Sequence, residues 1–348
     1  MGQAGRPAWV QITIILSDNG AFICQKLLRI FRMRGFSISK PPKFEETVMQ
    51  CRFGDKSKFI PAILLVCCLL IPSLAMAGHG EAKPVKKGIL LAAFGSSMPQ
   101  AQGSFDAIDK AVKKAFPGVP VRWAYSSAII RDILAKEGRN IDSPVMAMTK
   151  MMDEGFTHVA VQSLHTIPGE EYCGIVETVE AFESMPKGMS KVTVGKPLLF
   201  SDKDMQRTVK AIITNIPKER KAKDAVVLMG HGTHHAANIY YPASQDYFSK
   251  VDPKIFVGTV EGTPSLDDVK VLLKKSKAGK VYLMPYMSVA GDHARNDMAG
   301  DEDDSWKSEL SKDGYKCVPV LKGTAEFPQV VEIWVDHLKV AFQHLGDH

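Results

Sequence analysis

The sequence predicts an α/β chain whose parallel sheets fall into two similar halves. Three observations carry this. Short runs rich in Val, Leu and Ala, stopped by Gly or Pro, read as buried parallel strands. They are Gly88–Phe94, Val119–Ser127 and Val159–Leu164 in the first half, and Ala225–Gly230, Lys254–Gly262 and Val281–Tyr286 in the second. Helix-like segments separate them, at 103–115, 128–137, 143–154, 170–184 and 203–215, then at 236–250, 265–275, 301–312 and 327–345. The halves also align with each other, placing Phe94 opposite His231, Gly169 opposite Gly291 and Glu171 opposite His293. Such alternation means βαβ crossovers.

Taken in order, the chain opens on a leader. Lys56-Ser-Lys58, the apolar stretch Phe59–Pro72 and Ala75-Met-Ala77 form a positive n-region, an h-region and an A-x-A cleavage site. The stretch is too short to span a bilayer. Residues 1–77 are therefore expected to be a leader and signal peptide cleaved after Ala77, leaving a periplasmic chain with no membrane anchor. Met49 alone gives a signal peptide of ordinary length, so residues 1–48 are either a long leader or the product of a start codon assigned too early. The leader holds ten of the 44 Lys and Arg and four of the 38 Asp and Glu, so the remainder is charge-balanced and gives no electrostatic case for nucleic acid. Cys173 and Cys317 alone survive cleavage, enough for one disulfide but not for a cysteine metal site.

The domains expected after the leader are 78–216 and 224–348, joined by the charged segment Pro217–Lys223. Helix 327–345 closes the chain and is expected to pack back on the first half. The Met146, Met148, Met151 and Met152 run has helical spacing and reads as core.

Function is written at three successive strand ends of the second half. Gly230-His231-Gly232-Thr233 follows the first strand, Thr259-Val-Glu261-Gly-Thr-Pro264 the second, and Ala290-Gly-Asp-His293-Ala-Arg295-Asn-Asp297 the third. Ligands of open parallel sheets bind beyond the carboxyl ends of the strands. Two imidazoles and a carboxylate facing one crevice suit a divalent first-row transition metal. A core histidine gains little from glycines on both sides, which favours a functional His231. Glu261 alone reads equally as a turn or cap partner, and His293 alone as part of a capped turn. Asp301–Asp304 is explained by the acidic first turn of a helix. No Walker lysine or G-x-G-x-x-G is present, so no nucleotide is expected.

These blocks, with the opening Gly88-Ile-Leu-Leu-Ala-Ala-Phe-Gly-Ser-Ser97 and the Asp297-Met-Ala-Gly-Asp301 continuation, resemble the class II tetrapyrrole chelatases, and most of all the anaerobic sirohydrochlorin cobaltochelatases. The resemblance runs in order through the region after the leader. It implies a chelatase-like fold, two Rossmann-like domains with parallel sheets and a cleft between them. It implies ATP-independent insertion of Co²⁺, or alternatively Fe²⁺, into sirohydrochlorin. His231, Glu261 and His293 would hold the metal, with His231 and His293 also accepting pyrrole protons. The export signal departs from the family, whose members usually serve cytoplasmic cofactor synthesis.

Further residues are candidates by position. His165 and Glu171 repeat the second half's geometry in the first and are read equally as orienting the macrocycle or assisting proton removal, or as the faded half of a duplication; Arg295, Arg131 and Asn296 are candidate carboxylate partners. Trp123, Tyr125 and Tyr286 are candidates to lie against the ring, with buried aromatics of an ordinary core as the default reading. An exposed histidine such as His165 or His235 leaves axial haem binding open, and a homo-oligomer is equally open. Two rival readings stand beside the chelatase: an exported tetrapyrrole or metal carrier with little turnover, and, ranked last, a phosphate-ester hydrolase using His231 and Arg295.

Overall fold

A computed structural model describes residues 84–346. The leader and its cleavage site lie outside the described residues.

Each half is a four-stranded parallel sheet in the order 2-1-3-4. The first contains β1 (Lys87–Ala93), β2 (Val121–Tyr125), β3 (His158–Ser163) and β4 (Lys191–Gly195). The second contains β5 (Ala225–Gly230), β6 (Ile255–Thr259), β7 (Lys280–Pro285) and β8 (Lys316–Pro319). In the first sheet, β1 lies between β2 and β3, with Ile89 opposite Val121 on one side and Ala160 on the other. In the second, β5 lies between β6 and β7, with Val226 opposite Ile255 and Tyr282. The central strands are buried along almost their whole length, as expected of strands covered on both faces.

The helices are α1 (Gln102–Ala115), α2 (Ala128–Lys136), α3 (Pro144–Asp153), α4 (Glu170–Ser184) and α5 (Asp202–Thr214) in the first half. The second half adds α6 (Tyr240–Val251), α7 (Leu266–Ser276), α8 (Trp306–Lys312) and α9 (Pro328–Gln343). Local chemistry sets their starts. Ser201 with Asp204, and Ser265 with Asp268, form capping boxes that satisfy the free N–H groups of α5 and α7. Ser127, Ser143 and Ser305 cap α2, α3 and α8, and Pro occupies the first position of α3 and α9. Because Ser305 is the cap, Asp301–Asp304 precede α8 rather than forming its first turn. Asp303 pairs with Lys312 and Asp301 with Lys307.

Helix α9 follows the second sheet in sequence yet packs on the first, against β3, β4, α5 and α1. Arg207 of α5 holds Asp336 at 2.7 Å, Thr193 of β4 donates to the Ala341 carbonyl, and His337 lies 3.1 Å from the buried Asp204 carboxylate. Trp334 is fully buried in a hydrophobic cluster that also contains Ile89 and Leu91 of β1 and Val226 and Leu228 of β5. The packing expected of this helix is what the structure has.

Met148 and Met151 are core, whereas Met146 faces solvent at 51% exposure. Cys173 and Cys317 are both free thiols, so the disulfide left open by the sequence is not formed.

Candidate metal centre

The three strand-end residues meet. His231 follows β5 directly, Glu261 lies just beyond β6, and His293 lies in the loop after β7, capping a short π-helical turn, Ala294–Met298. Since β5 is flanked by β6 and β7, its two neighbours bring their loops to the same end of the sheet. The two imidazole rings stand 4.7 Å apart between centroids, nearly perpendicular at 84°. A Glu261 carboxylate oxygen lies 3.9 Å from Nδ1 of His231. Among the described residues no three His, Cys, Asp or Glu side chains close around a single point. The imidazoles form a pair, and the carboxylate, 55% exposed, stands beside it.

Hydrogen bonds decide which nitrogen each ring offers. Nδ1 of His231 lies 2.9 Å from the Gly232 carbonyl, which can only accept, so Nδ1 carries the proton. Nδ1 of His293 bonds the Asp297 carboxylate one turn further on. Both Nε2 lone pairs are thereby left for a cation, with an outer partner fixing each ring as in metal-ligating histidines generally.

The backbone beneath is tightly built. Gly232 is left-handed at φ +84°, and a methyl group there would stand 2.6 Å from the Glu261 carbonyl carbon and 2.7 Å from its oxygen. The Glu261 N–H donates to the His231 carbonyl at 2.7 Å. Asn238 then stitches the two loops: its Oδ1 accepts from Thr233 N–H, and its Nδ2 donates to the Thr263 carbonyl at 2.7 Å. Tyr241, buried under the His231–Gly232 backbone, has its phenol pushed up to about 12 by burial. Asp297, Asn238 and Tyr241 were not singled out from the sequence. For Asp297 a signal exists, since it stands four residues after His293 and a helical turn brings such pairs together; Asn238 and Tyr241 carry none.

The first half repeats the backbone but not the chemistry. Gly95 is also left-handed, at φ +102°, and precedes the end of β2 as Gly232 precedes that of β6. Where the second half presents His231, the first presents Phe94, 46% exposed. The loops of the two halves touch: Ser288, after β7, donates to the Leu164 carbonyl, after β3, at 2.7 Å.

Several sequence candidates lie elsewhere. His165 is not an exposed histidine: its Nε2 is buried without a partner, its Nδ1 lies 3.0 Å from Ser163 Oγ, and burial pulls its pKa down to about 4. It presents no free nitrogen to a macrocycle or a haem. His235 is exposed and caps the turn at Ala237 through Nδ1. Glu171 is exposed in the first turn of α4. Arg131 is committed to the Tyr125 and Ser126 carbonyls, and Arg295 donates to Ala290. Asn296 donates to Asp292. Tyr286 and Tyr125 are core residues, Tyr286 sharing a hydrogen bond with Ser244, and Trp123 donates to Asp109. Phe94 is an exposed aromatic after β1, missed because the repeat compared it only with a histidine.

Comparison with known proteins follows the same line. A family model described as cobalt chelatase (CbiK) matches residues 87–343. The chain is 47% identical over 262 residues to the sirohydrochlorin cobaltochelatase CbiKC of Nitratidesulfovibrio vulgaris (strain Hildenborough), covering 75% of this chain and 93% of that protein. It is 34% identical over 259 residues to the sirohydrochlorin cobaltochelatase of Salmonella typhimurium, covering 74% of this chain and 97% of that protein. Among solved structures, SirB from Bacillus subtilis with Fe³⁺ superposes with a TM-score of 0.51 at 16% identity, over 76% of this chain and 98% of that one. That likeness bears on the fold, and it is the chelatase one.

Proposed function

The chain belongs to the cobalt chelatase (CbiK) family, and on that premise we propose that it inserts Co²⁺ into sirohydrochlorin, a step toward cobalamin, without ATP. The observation that carries the site assignment is the pair of imidazoles 4.7 Å apart, each with Nδ1 engaged. His231 and His293 hold the incoming cation through Nε2, and Glu261 supplies the third ligand, an oxygen, by rotating its exposed carboxylate onto it. Three protein ligands leave coordination positions open for pyrrole nitrogen.

Metal insertion exchanges ligands and releases two pyrrole protons. Neutral imidazole both ligates borderline cations and accepts protons, so the histidines that surrender the metal can take up those protons. Phe94 and the loop after β3 form the opposite wall, where a macrocycle would be placed over the metal. Positioning supplies most of the rate gain in such a site. Fe²⁺ suits the same donors and is the competing metal.

The leader supports placing the chain outside the cytoplasm after cleavage at Ala77, which N-terminal sequencing of exported protein would check. The function itself is tested by following sirohydrochlorin absorbance with Co²⁺ or Fe²⁺, without ATP, against a protein-free control. Many turnovers per chain are expected, faster with Co²⁺. One stoichiometric spectral shift followed by none would make the protein a carrier.

A further inference from the structure

The amino end of the second sheet, opposite the metal centre, collects positive charge. Lys254, Lys280 and Lys316 stand at the starts of β6, β7 and β8, and Lys223 lies two residues before β5. Lys274 and Lys277 join them from the end of α7. Backbone bonds make the group contiguous. Lys254 Nζ donates to the carbonyls of Lys223 and Ser276, Lys316 N–H donates to the Gly279 carbonyl, and Lys280 is register partner of Lys316. Lys223, Lys274, Lys277 and Lys316 are exposed, and among the described residues none of the six is in an ion pair.

The first half serves as an internal control. At the same end of its sheet, Arg122 pairs with Glu154, Lys191 with Glu183, and Lys86 donates to the Glu154 carbonyl. There two of the cations, Arg122 and Lys191, are held in ion pairs with carboxylates; in the second sheet none is. The helix macrodipole accounts for lysines in the last turn of α7. It does not account for those at the strand starts.

We propose that this basic end docks the protein on an anionic lipid headgroup surface, leaving the metal centre facing away. The chemistry favours lipid over nucleic acid. The exposed cations are lysines, point charges that suit a fluid, smeared anionic layer, and Arg220 at this end is turned inward onto Asp252 and the Asp224 carbonyl. Among the described residues no fully exposed aromatic side chain stands among these lysines to stack a base, Tyr315 beside Lys316 being half-buried. Five-residue strands separate the basic end from the His231 end by roughly 17 Å, so docking does not cover the centre.

The test is co-sedimentation of the intact chain with vesicles at low salt. Vesicles of phosphatidylcholine and phosphatidylglycerol (3:1) are compared with pure phosphatidylcholine, which reads charge-independent binding; the leader, with ten basic residues against four acidic, is common to wild type and variants, so the patch is read from their difference. The wild type should bind the anionic vesicles more tightly, and the excess should vanish in about 0.5 M salt. A Lys223→Gln/Lys277→Gln/Lys316→Gln variant should lose about a hundredfold in partition coefficient, at roughly fivefold per lysine, with its thermal melt and chelatase turnover unchanged. A Lys274→Gln/Lys277→Gln pair is the second variant, should the triple one melt early, and should lose about twenty-five-fold. Equal binding to both vesicle types, or variants that bind like the wild type, overturns the proposal. So does tighter, patch-dependent binding to duplex DNA or to a polyacidic protein.

Discussion

Replacing Gly232 with alanine attacks the turn that holds the metal centre together. The residue sits at φ +84°, where an L side chain costs about 1–2 kcal/mol. The new methyl group would also meet the Glu261 carbonyl carbon at 2.6 Å and its oxygen at 2.7 Å. Both are backbone atoms that no rotamer change can move aside, so the loops must separate, at a further ~1–2 kcal/mol typical of overpacking. A total of about 3 kcal/mol lowers Tm by roughly 6–12 °C in a chain of this size. The separation also pulls Glu261 away from His231, and misplacement of that order in an active site can cost about a hundredfold in rate. Gly118→Ala is the control: its φ is +78° but nothing lies within 4 Å of the added methyl. It should show the conformational cost alone, with turnover intact. Calorimetry and cobalt-dependent turnover of both variants decide the matter. If Gly232→Ala melts like Gly118→Ala and keeps wild-type turnover, the contact between the two loops does not hold the centre.

His231→Ala should abolish cobalt-dependent turnover, and unchanged turnover would remove it from the site. Asp297→Asn should weaken cobalt binding by about 10–100-fold, measured by titration calorimetry, while leaving Tm nearly unchanged, because its carboxylate acts on His293 rather than on the core. His165 has its pKa lowered by burial from 6.5 to about 4. The unfolded chain therefore takes up a proton that the folded one refuses, and stability falls as pH drops from about 6.5 toward about 4, by an amount on the order of 3 kcal/mol. Denaturant midpoints across that range should flatten in His165→Leu. Trp334→Ala, emptying a fully buried site in α9, should cost about 3–5 kcal/mol in urea melts.

The strands that form the middle of each sheet were legible because burial on both faces writes itself as an unbroken apolar run. Of the edge strands, β2 and β6 were also legible, but β4 and β8 were not. Lys191–Gly195 and Lys316–Pro319 are short, half-exposed and begin on lysine, so they carry no such run. The candidate metal centre was legible as far as chain order could take it, since His231, Glu261 and His293 each follow a strand. What fixes them was not, because Asn238 reaches across to Thr263, twenty-five residues away, through a loop contact that leaves no periodicity. His165 misled because its position repeats the second half's pattern, while its Nε2 is buried, and burial of a single side chain in a loop leaves no periodicity to read. Tyr286 follows its default reading as a core aromatic: proximity in sequence to a functional loop says nothing about which side of the sheet a ring faces.

The placement of α9 bears on how the molecule is made. A ribosome releases the first sheet and its helices well before it releases Trp334 and Leu338, yet those side chains belong to the cluster that includes Ile89 and Leu91. Until then the first half has an uncovered apolar flank that its own segment cannot close. Its folding is thus tied to the arrival of the final helix, and the two lobes, though similar in architecture, mature together rather than in succession.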